Sequence, residues 1–358
     1  MAAALEKWFA AHQRDLPWRR RGRSVQNRAY RCLVAEYMLH QTQVRRVLDY
    51  FDRFIARFAD VQSLAAAPEQ EVLALWQGLG YYRRARYLHA AAKIIVGEHG
   101  GRVPRQVESL RQLPGIGRYT AGAIASIAFG VKAPIVDGNV QRLLARWFEI
   151  GGERSSREVE QEVWRLAEAL VAASRDPGAF NQAMMELGST ICLPRGAKCD
   201  ACPAAKWCRA RANGTIERYP PVRERRETPV IHAASVVVQR GERVLLAQRP
   251  ARGPWAGMWQ CPTRESTDRV DAKAISRFVK HEYGLEVVLD EAAGTFTHQT
   301  SHRRVEFDVW VARSVKGRAR GARWVALPDL EQFPLSNAQK RVLDLAGALP
   351  FAEPSGRG

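Results

Sequence analysis

The sequence lacks any apolar run near the about 20 residues that a helix needs to cross a bilayer, and its N-terminus lacks the layout of a secretory signal peptide. Acidic residues are also few, since 37 Asp and Glu stand against 55 Lys and Arg, which gives a formal net charge of +18. Such an excess favours a polyanionic partner, and nucleic acid is a more common one than an acidic membrane surface. We therefore expect a nucleic-acid-binding protein of the reducing cytoplasm, associated with the nucleoid if the source is bacterial, and no membrane segment.

Cysteine is scarce and concentrated. Four of the six cysteines, Cys192, Cys199, Cys202 and Cys208, fall within seventeen positions. In a chain without a secretory leader this crowding favours a metal centre over disulfides. Only one Cys-x2-Cys pair is present and no histidine lies between the first and last of the four, so a [4Fe–4S] cluster is favoured over the alternative of a structural zinc. The spacing differs from ferredoxin motifs, which disfavours an electron carrier.

The periodicity of apolar residues changes along the chain. From Leu5 to about Arg211 it predicts helices, whereas the proline-rich and charged stretch after it predicts a linker. Beyond the linker, a hairpin turning at Gly241 and further strands and helices predict an α+β domain. The expected boundaries are 1–211 for a helical domain, 212–230 for the linker, 231–347 for the α+β domain and 348–358 for a tail. Expected strands are 234–238, 244–247, 305–311 and 324–327, and expected helices are 140–148, 270–283 and 336–345.

The pentapeptide LPGIG at 113–117 carries two glycines between helical segments. Gly115 and Gly117 let the backbone turn and approach a ligand closely, and they leave unpaired N–H groups at the next helix N-terminus, where phosphate binds readily. A simple bend between helices is the alternative. The basic composition favours phosphate binding.

Two acidic residues are candidates for paired chemistry. Asp137 lies in VDGNV at 136–140, where a helix N-cap is the ordinary role. Glu36 lies in the weakly polar stretch CLVAEYML at 32–39, where burial would raise its pKa, although an exposed glutamate on an amphipathic helix is equally compatible with this stretch alone. Different settings can make one carboxyl a proton donor while the other remains an anion.

Several blocks together resemble the helix-hairpin-helix DNA glycosylases with an iron–sulfur loop, and in particular the MutY-type adenine DNA glycosylases. They are LPWR at 16–19, EYMLHQTQV at 36–44, WQGLGYY at 76–82, LPGIGRYT at 113–120, VDGNV at 136–140, FNQAMMELG at 180–188 and the four cysteines. The resemblance extends from about residue 5 to residue 345. It implies a helix-hairpin-helix catalytic domain with a [4Fe–4S] loop, followed by a Nudix-like α+β domain.

The resemblance implies hydrolytic excision of adenine paired with 8-oxoguanine or guanine in duplex DNA, which initiates base excision repair. Glu36 would protonate adenine N7 and then activate water, and Asp137 would stabilise the sugar cation or trap it covalently, with Tyr119 and Asn139 as hydrogen-bonding partners. Endonuclease III-like relatives carry a lysine nucleophile where this chain has Tyr119, so the glycosylase/lyase alternative is disfavoured.

By the same resemblance, the adenine leaves the duplex and is surrounded by Arg14, Trp18, Arg19, Leu39 and Glu186. Gln41 and Tyr81 would fill the helix beside the lesion, although core packing is the alternative for Trp18, Leu39 and Tyr81. His40 stands where the family commonly has glutamine. In the cysteine loop, Arg195 and Lys198 are expected to contact phosphate rather than to be merely solvated.

The second domain resembles Nudix folds through GPWAGMWQCP at 253–262. The helix that binds magnesium in Nudix hydrolases reads RFVKHEYGL at 277–285, with Phe278 and His281 in place of two glutamates, so a nucleotide-pool hydrolase is disfavoured. In the family a Phe-Ser-His loop recognises 8-oxoguanine. The corresponding residues here are Phe296, Thr297 and His298.

A non-catalytic mismatch-binding protein is a further alternative, but it would require the loss of Glu36 or Asp137, and both are present. We expect a monomer whose partner is double-stranded DNA. The sequence indicates no protein partner and no role for the cluster.

Overall fold

The computed structural model describes residues 1–20, 24–153, 156–221, 228–300 and 303–348. Their backbone divides into two compact units, Met1–Ala67 with Tyr87–Arg225, and Pro68–Arg86 with Arg226–Gly358. Residues 222–227 of the expected linker and 349–358 of the expected tail lie outside the described residues. No sequence pattern indicated that the segment Pro68–Arg86 groups with the C-terminal residues.

Helices occupy the N-terminal two thirds of the chain, as the periodicity predicts. In chain order they are α1 Ala2–His12, α2 Val25–Leu39, α3 Val44–Arg57, α4 Val61–Ala66, α5 Glu69–Leu75, α6 Arg83–Glu98, α7 Val107–Arg111, α8 Arg118–Phe129, α9 Gly138–Phe148, α10 Arg157–Ala172, α11 Pro177–Thr190 and α12 Arg209–Ala212. Short 3₁₀ turns connect several of them, including Cys199–Ala201 and Ala205–Trp207.

Local capping explains where several of these helices begin. The Ser24 side chain accepts the amide of Asn27 at 3.1 Å at the start of α2. The carboxylate of Asp176 accepts the amide of Ala179 at 3.0 Å, and Pro177 occupies the first turn of α11, where its missing N–H costs nothing. These side chains satisfy donors that a helix start leaves unpaired.

The core of the first unit lies where α1, α8 and α9 pack on α11. Its buried side chains include Leu5, Phe9, Ala123, Leu143, Leu144, Trp147, Phe180, Met184 and Leu187. These positions recur at three-to-four spacing, so each helix turns one apolar face toward the others. The packing fixes α2, α8, α9 and α11 as one scaffold for the residues that come between them.

The second unit is α+β. Besides α5, which lies in the segment Pro68–Arg86, its elements are β1 Val230–Val237, β2 Gln239–Arg240, β3 Arg243–Gln248, β4 Trp259–Gln260, β5 Thr263–Ser266, α13 Ala272–Tyr283, β6 Leu285–Gln299, β7 Arg304–Gly317, β8 Arg323–Ala326 and α14 Asn337–Leu345. One sheet has the order β5-β1-β7-β6, with β1 and β7 parallel. In the other, β2, β3 and β4 are neighbours and β8 pairs with β3.

The alternation of side chains along β1 produces two apolar faces. Ala233 and Val237 belong to the cluster that includes Val342 and Leu343 of α14, whereas neighbouring positions of β1 belong to the cluster with α13. Successive strand residues point to opposite faces of the sheet. One face of β1 is therefore buried against α14 and the other against α13.

The expected α+β class is confirmed, with some differences in detail. The turn at Gly241 joins β2 to β3, while β1 pairs with β5 and β7 rather than with β3. The helices expected at 270–283 and 336–345 start after their N-caps, Asp271 and Ser336. Strand β6 was not predicted, because its register shifts between Val288 and Gly294 interrupt the alternating pattern. Within the described part of the chain, every helix is too short or too polar to traverse a lipid bilayer.

Candidate active site

Glu36 lies on the buried face of α2. Its side chain is among apolar residues of that helix, and the residue is only 5% exposed. Burial raises its pKa to about 7, a hydrogen bond from Tyr119 acts in the opposite direction, and the charge of Asp137 raises it further. The carboxyl group therefore holds a proton near neutral pH. The sequence left a buried and an exposed glutamate equally open, and the structure shows the buried one.

Tyr119 lies in the first turn of α8, two residues after Gly117, the N-cap of that helix. Burial and the neighbouring charges of Glu36 and Asp137 raise the pKa of Tyr119 well above its ordinary value, so the phenol remains protonated. Its hydroxyl also approaches the sulfur of Met185 at 3.1 Å. Tyr119 is therefore a hydrogen-bond donor next to Glu36.

Asp137 is the N-cap of α9. One carboxylate oxygen accepts the amide of Val140 at 2.7 Å, and the other accepts the Asn139 Nδ2 group at 3.2 Å. Two donors and the positive end of a helix dipole stabilise a negative charge at this position. Asp137 thus has the N-cap role that the sequence suggested as its ordinary one.

Arg142 connects this carboxylate with the cysteine loop, and sequence reasoning missed it. Its Nη2 group donates to Oδ1 of Asn139 at 2.8 Å and to the carbonyl of Gly188 at 2.6 Å, while Nε donates to the carbonyl of Cys192 at 2.8 Å. A Cβ on Gly188 would lie 2.6 Å from that of Asn139, so glycine is needed for α11 to approach α9 here. A basic residue three positions after Asn139 on a buried helix face was the available signal.

The four cysteines lie around one cavity. Cys192 follows α11, Cys199 begins a 3₁₀ turn that Cys202 follows, and Cys208 precedes α12. All four line a cavity of about 20 Å³ together with Trp147 and Ile191. Burial, together with the three neighbouring thiols, raises the pKa of Cys202 to about 11. The expected ligand set is thus gathered in one place.

Arg146 binds the backbone of this loop, and sequence reasoning missed this residue too. It is 1% exposed and donates to the carbonyls of Leu193 at 2.7 Å and Pro194 at 3.0 Å, and to the Cys192 sulfur at 3.3 Å. These hydrogen bonds tie the start of the cysteine loop to α9.

The arrangement of the four thiols fits a metal cluster better than a single ion. Among the described residues, no three His, Cys, Asp or Glu side chains form a group that could hold one metal ion. Four thiols around a common cavity match the all-cysteine ligation of a [4Fe–4S] cluster, whose ligands are spread over four irons.

Three of the residues expected around the adenine meet at Glu186. Its buried carboxylate receives the side chains of Arg14 and Arg19, the latter at 2.8 Å. Burial lowers the pKa of Arg19, while the pKa of Glu186 lies below its ordinary value because hydrogen bonds and charge from both arginines outweigh its burial. Trp18 lies edge-on to Phe51 at 5.4 Å instead, which is a packing contact.

The other expected DNA-contacting residues of the first unit lie at helix ends. Leu39 ends α2, His40 lies 2.8 Å from the Thr120 hydroxyl, and Gln41 has a positive φ of 55°. Gly115 lies in the turn before α8, where an added Cβ would lie 2.5 Å from the ring of Tyr87. Gly117 is the N-cap of α8 and, being a glycine, offers no side-chain acceptor to the first amides of that helix.

In the second unit, Tyr81 is 43% exposed and has a positive φ of 49°. Phe296, Thr297 and His298 lie near the end of β6. Phe296 is buried and stacks on Phe307 at 4.7 Å, Thr297 is exposed, and His298 is half-buried. Only the last two can therefore present polar atoms at the surface.

Comparisons with known proteins match two separate parts of the chain to known families. The model of the HhH-GPD superfamily base excision DNA repair proteins matches residues 34–169, and a NUDIX domain model matches residues 233–345. The adenine DNA glycosylase of Homo sapiens is 36% identical over an alignment of 397 residues, gaps included. The alignment covers 95% of this chain and 72% of that protein. That of Buchnera aphidicola subsp. Acyrthosiphon pisum is 39% identical over 214 residues, 60% of this chain and 59% of that protein. A thermostable thymine-DNA glycosylase structure matches with a TM-score of 0.52 and 29% identity, over 59% of this chain and 95% of that one.

Proposed function

The chain belongs to the adenine DNA glycosylases of the HhH-GPD base excision repair superfamily. We propose that it hydrolyses the N-glycosidic bond between deoxyribose and an adenine that is paired with 8-oxoguanine or guanine. The observation that carries this proposal is the pair of unlike carboxyl groups. Glu36 is buried with a pKa of about 7, and Asp137 accepts hydrogen bonds at the start of α9. An acid and an anion side by side suit cleavage of an N-glycosidic bond, where a poor leaving group departs from a developing cation.

In the proposed reaction, Glu36 gives its proton to adenine N7. The bond between C1′ and N9 breaks, and its electron pair leaves with the neutral adenine. The Asp137 carboxylate stabilises the sugar cation, and Tyr119 and Asn139 hold the two acids in position. Water then adds to C1′ and returns a proton to Glu36, leaving an abasic site.

The proposed enzyme is monofunctional. A lyase needs an amine that forms a Schiff base with the sugar, whereas Tyr119 offers a phenol that stays protonated. Tyr119→Lys would add the missing amine, and we expect borohydride to trap this variant covalently on DNA. Absence of trapping would place the residue too far from the sugar.

Adenine would reach this site by leaving the duplex. We assign Arg14, Trp18, Arg19, Leu39 and Glu186 to its surroundings. The ion pairs of Glu186 with both arginines support a preformed polar wall. Gln41 and Tyr81, both with positive φ, are proposed to fill the space beside the lesion, and the turn at Gly115 and Gly117 is proposed to bind phosphate.

We assign a [4Fe–4S] cluster to Cys192, Cys199, Cys202 and Cys208. When bound, it supplies four Fe–S cross-links to the loop. That loop carries Arg195 and Lys198, for which we propose phosphate contacts. We expect the purified protein to be brown, and a colourless protein containing zinc would exclude the cluster.

We propose that Phe296, Thr297 and His298 recognise 8-oxoguanine opposite the adenine. Phe296 supports the tripeptide from the core, while Thr297 and His298 supply the polar atoms. The partner would be double-stranded DNA bound by a monomer in the reducing cytoplasm.

Single-turnover incubation with a duplex containing one adenine opposite 8-oxoguanine tests the function. We expect adenine release, with strand breaks only after alkali. Breaks without alkali would indicate lyase chemistry. Tight binding without release would indicate a recognition protein.

A further inference from the structure

Trp255 has an unusual backbone conformation in the loop between β3 and β4. Its φ is +50°, in the left-handed region that a bulky residue adopts only at a cost. The carbonyl of Trp255 accepts the amide of Met258 at 3.1 Å, which closes the turn. A tryptophan in a conformation that suits glycine indicates that the indole ring itself has a role.

Two arginines and a glutamate fix this ring. The guanidinium groups of Arg249 and Arg303 lie 5.6 and 5.2 Å from the Trp255 ring centroid. Glu265 bridges both cations, with contacts of 3.1 Å to Arg249 and 2.7 Å to Arg303. Arg249 also donates to the carbonyl of Pro254 at 3.0 Å and to Gln260 at 2.7 Å. This network comes from four separate segments of the second unit, so the ring has little freedom to turn.

The ring contacts the last residue of the tripeptide on β6. The centroids of Trp255 and His298 are 5.8 Å apart, with 54° between the ring planes. Burial, followed by the charges of Arg341 and Arg303, lowers the pKa of His298. A neutral imidazole has one nitrogen that donates and one that accepts. 8-Oxoguanine differs from guanine at two adjacent positions, a carbonyl oxygen at C8 and a hydrogen on N7, so an imidazole of fixed orientation could distinguish the two bases.

We propose that Trp255, held by Arg249, Arg303 and Glu265, is a positioning residue that orients His298 for the discrimination of 8-oxoguanine from guanine. The proposal rests on the proposed function, in which the tripeptide at 296–298 reads the base opposite the adenine. Nothing in the sequence pattern at 253–262 distinguishes Trp255 from an ordinary core residue. Its conformation, its two cations and its contact with His298 do so together.

The experiment measures a discrimination ratio, the excision rate for adenine opposite 8-oxoguanine divided by the rate opposite guanine, at subsaturating enzyme. His298→Ala and Trp255→Gly should each lower this ratio about tenfold, the size of one good base-reading contact. The double variant should lower it no further, since both changes disable the same imidazole. Glycine suits a φ of +50°, so Trp255→Gly should keep the fold. Trp255→Phe, which keeps an aromatic platform, should restore most of the ratio.

Trp324 provides the matched control, because it too has a guanidinium, that of Arg240, 4.9 Å from its ring. Trp324→Leu should leave the ratio unchanged. In proton NMR, Trp255→Gly should move the His298 ring resonances, since the nearby indole current is lost. If His298→Ala lowers the ratio while Trp255→Gly leaves the ratio unchanged, the inference is overturned and the function stands. If neither variant lowers the ratio while adenine is still excised, the recognition role of the tripeptide fails as well.

Discussion

Glu36 and Asp137 are the same kind of acid in opposite surroundings. Glu36 lies in the interior of α2, where apolar neighbours disfavour its charged form and raise its pKa to about 7. Asp137 lies at the start of α9, where a backbone amide at 2.7 Å and the Asn139 side chain at 3.2 Å donate to its two oxygens. Burial thus raises the pKa of Glu36, whereas hydrogen-bond donors at a helix start surround the carboxylate of Asp137, within one scaffold of packed helices.

Removing the acid should have the largest effect. Glu36→Gln cannot donate the proton, so we expect adenine release in single turnover to fall by about 10²–10⁴-fold or more, with binding to the mismatched duplex retained. Glu98→Gln, an exposed change at the end of α6, is the control and should leave the rate unchanged. Release at the normal rate by Glu36→Gln would exclude this residue as the acid.

Removing the anion should come next. Asparagine is as good an N-cap as aspartate, so Asp137→Asn should preserve α9 while lowering the excision rate by about 10²-fold or more. Asp271→Asn is matched, because Asp271 caps α13 and accepts the amide of Ala274 at the same distance of 2.7 Å. Equal effects of the two substitutions would mean that Asp137 acts only as a cap.

The contrast should also appear in stability. The pKa of Glu36 is about 7 in the fold against an ordinary value of 4.5, so wild type should lose about 3 kcal/mol of stability as pH rises from 4.5 through 7. Glu36→Gln carries no such charge, so it should match wild type below pH 4.5 and exceed it by this amount above pH 7. Urea denaturation at pH 4 and pH 8 measures the difference. A constant difference at both values would show that Glu36 is not buried as an acid.

Loss of the hydrogen bond from Asn139 to Asp137 should slow excision less than loss of the Asp137 carboxylate itself. Asn139→Ala removes the donor to Asp137 but keeps the Cβ that packs on Gly188, so we expect about a tenfold slower excision. Asn213→Ala removes a similar amide contact, 2.8 Å from Glu149, away from the candidate site. If Asn139→Ala is as neutral as this control, the hydrogen bond to Asp137 has no catalytic role.

How much the sequence could predict depends on whether the information is local. The cysteine spacing, the cap at Asp137 and the apolar surroundings of Glu36 are local patterns, and the structure shows the four cysteines around one cavity, Asp137 as an N-cap and Glu36 buried. Arg142 and Arg146 were missed because their partners are mostly backbone carbonyls, whose positions depend on tertiary packing. The conformation of Trp255 and the grouping of Pro68–Arg86 with the second unit likewise depend on contacts distant in sequence.

The most direct test of the contrast is the pH dependence of single-turnover excision in wild type, Tyr119→Phe and Asp137→Asn, each scaled to its own maximum. Wild type should lose activity as pH rises through about 7, where Glu36 gives up its proton. The hydrogen bond from Tyr119 lowers the pKa of Glu36 and the charge of Asp137 raises it. Tyr119→Phe should therefore move the loss of activity to higher pH, and Asp137→Asn should move it to lower pH. A loss of activity at the same pH in all three proteins would contradict the assignment of Glu36 as the buried acid beside the Asp137 anion.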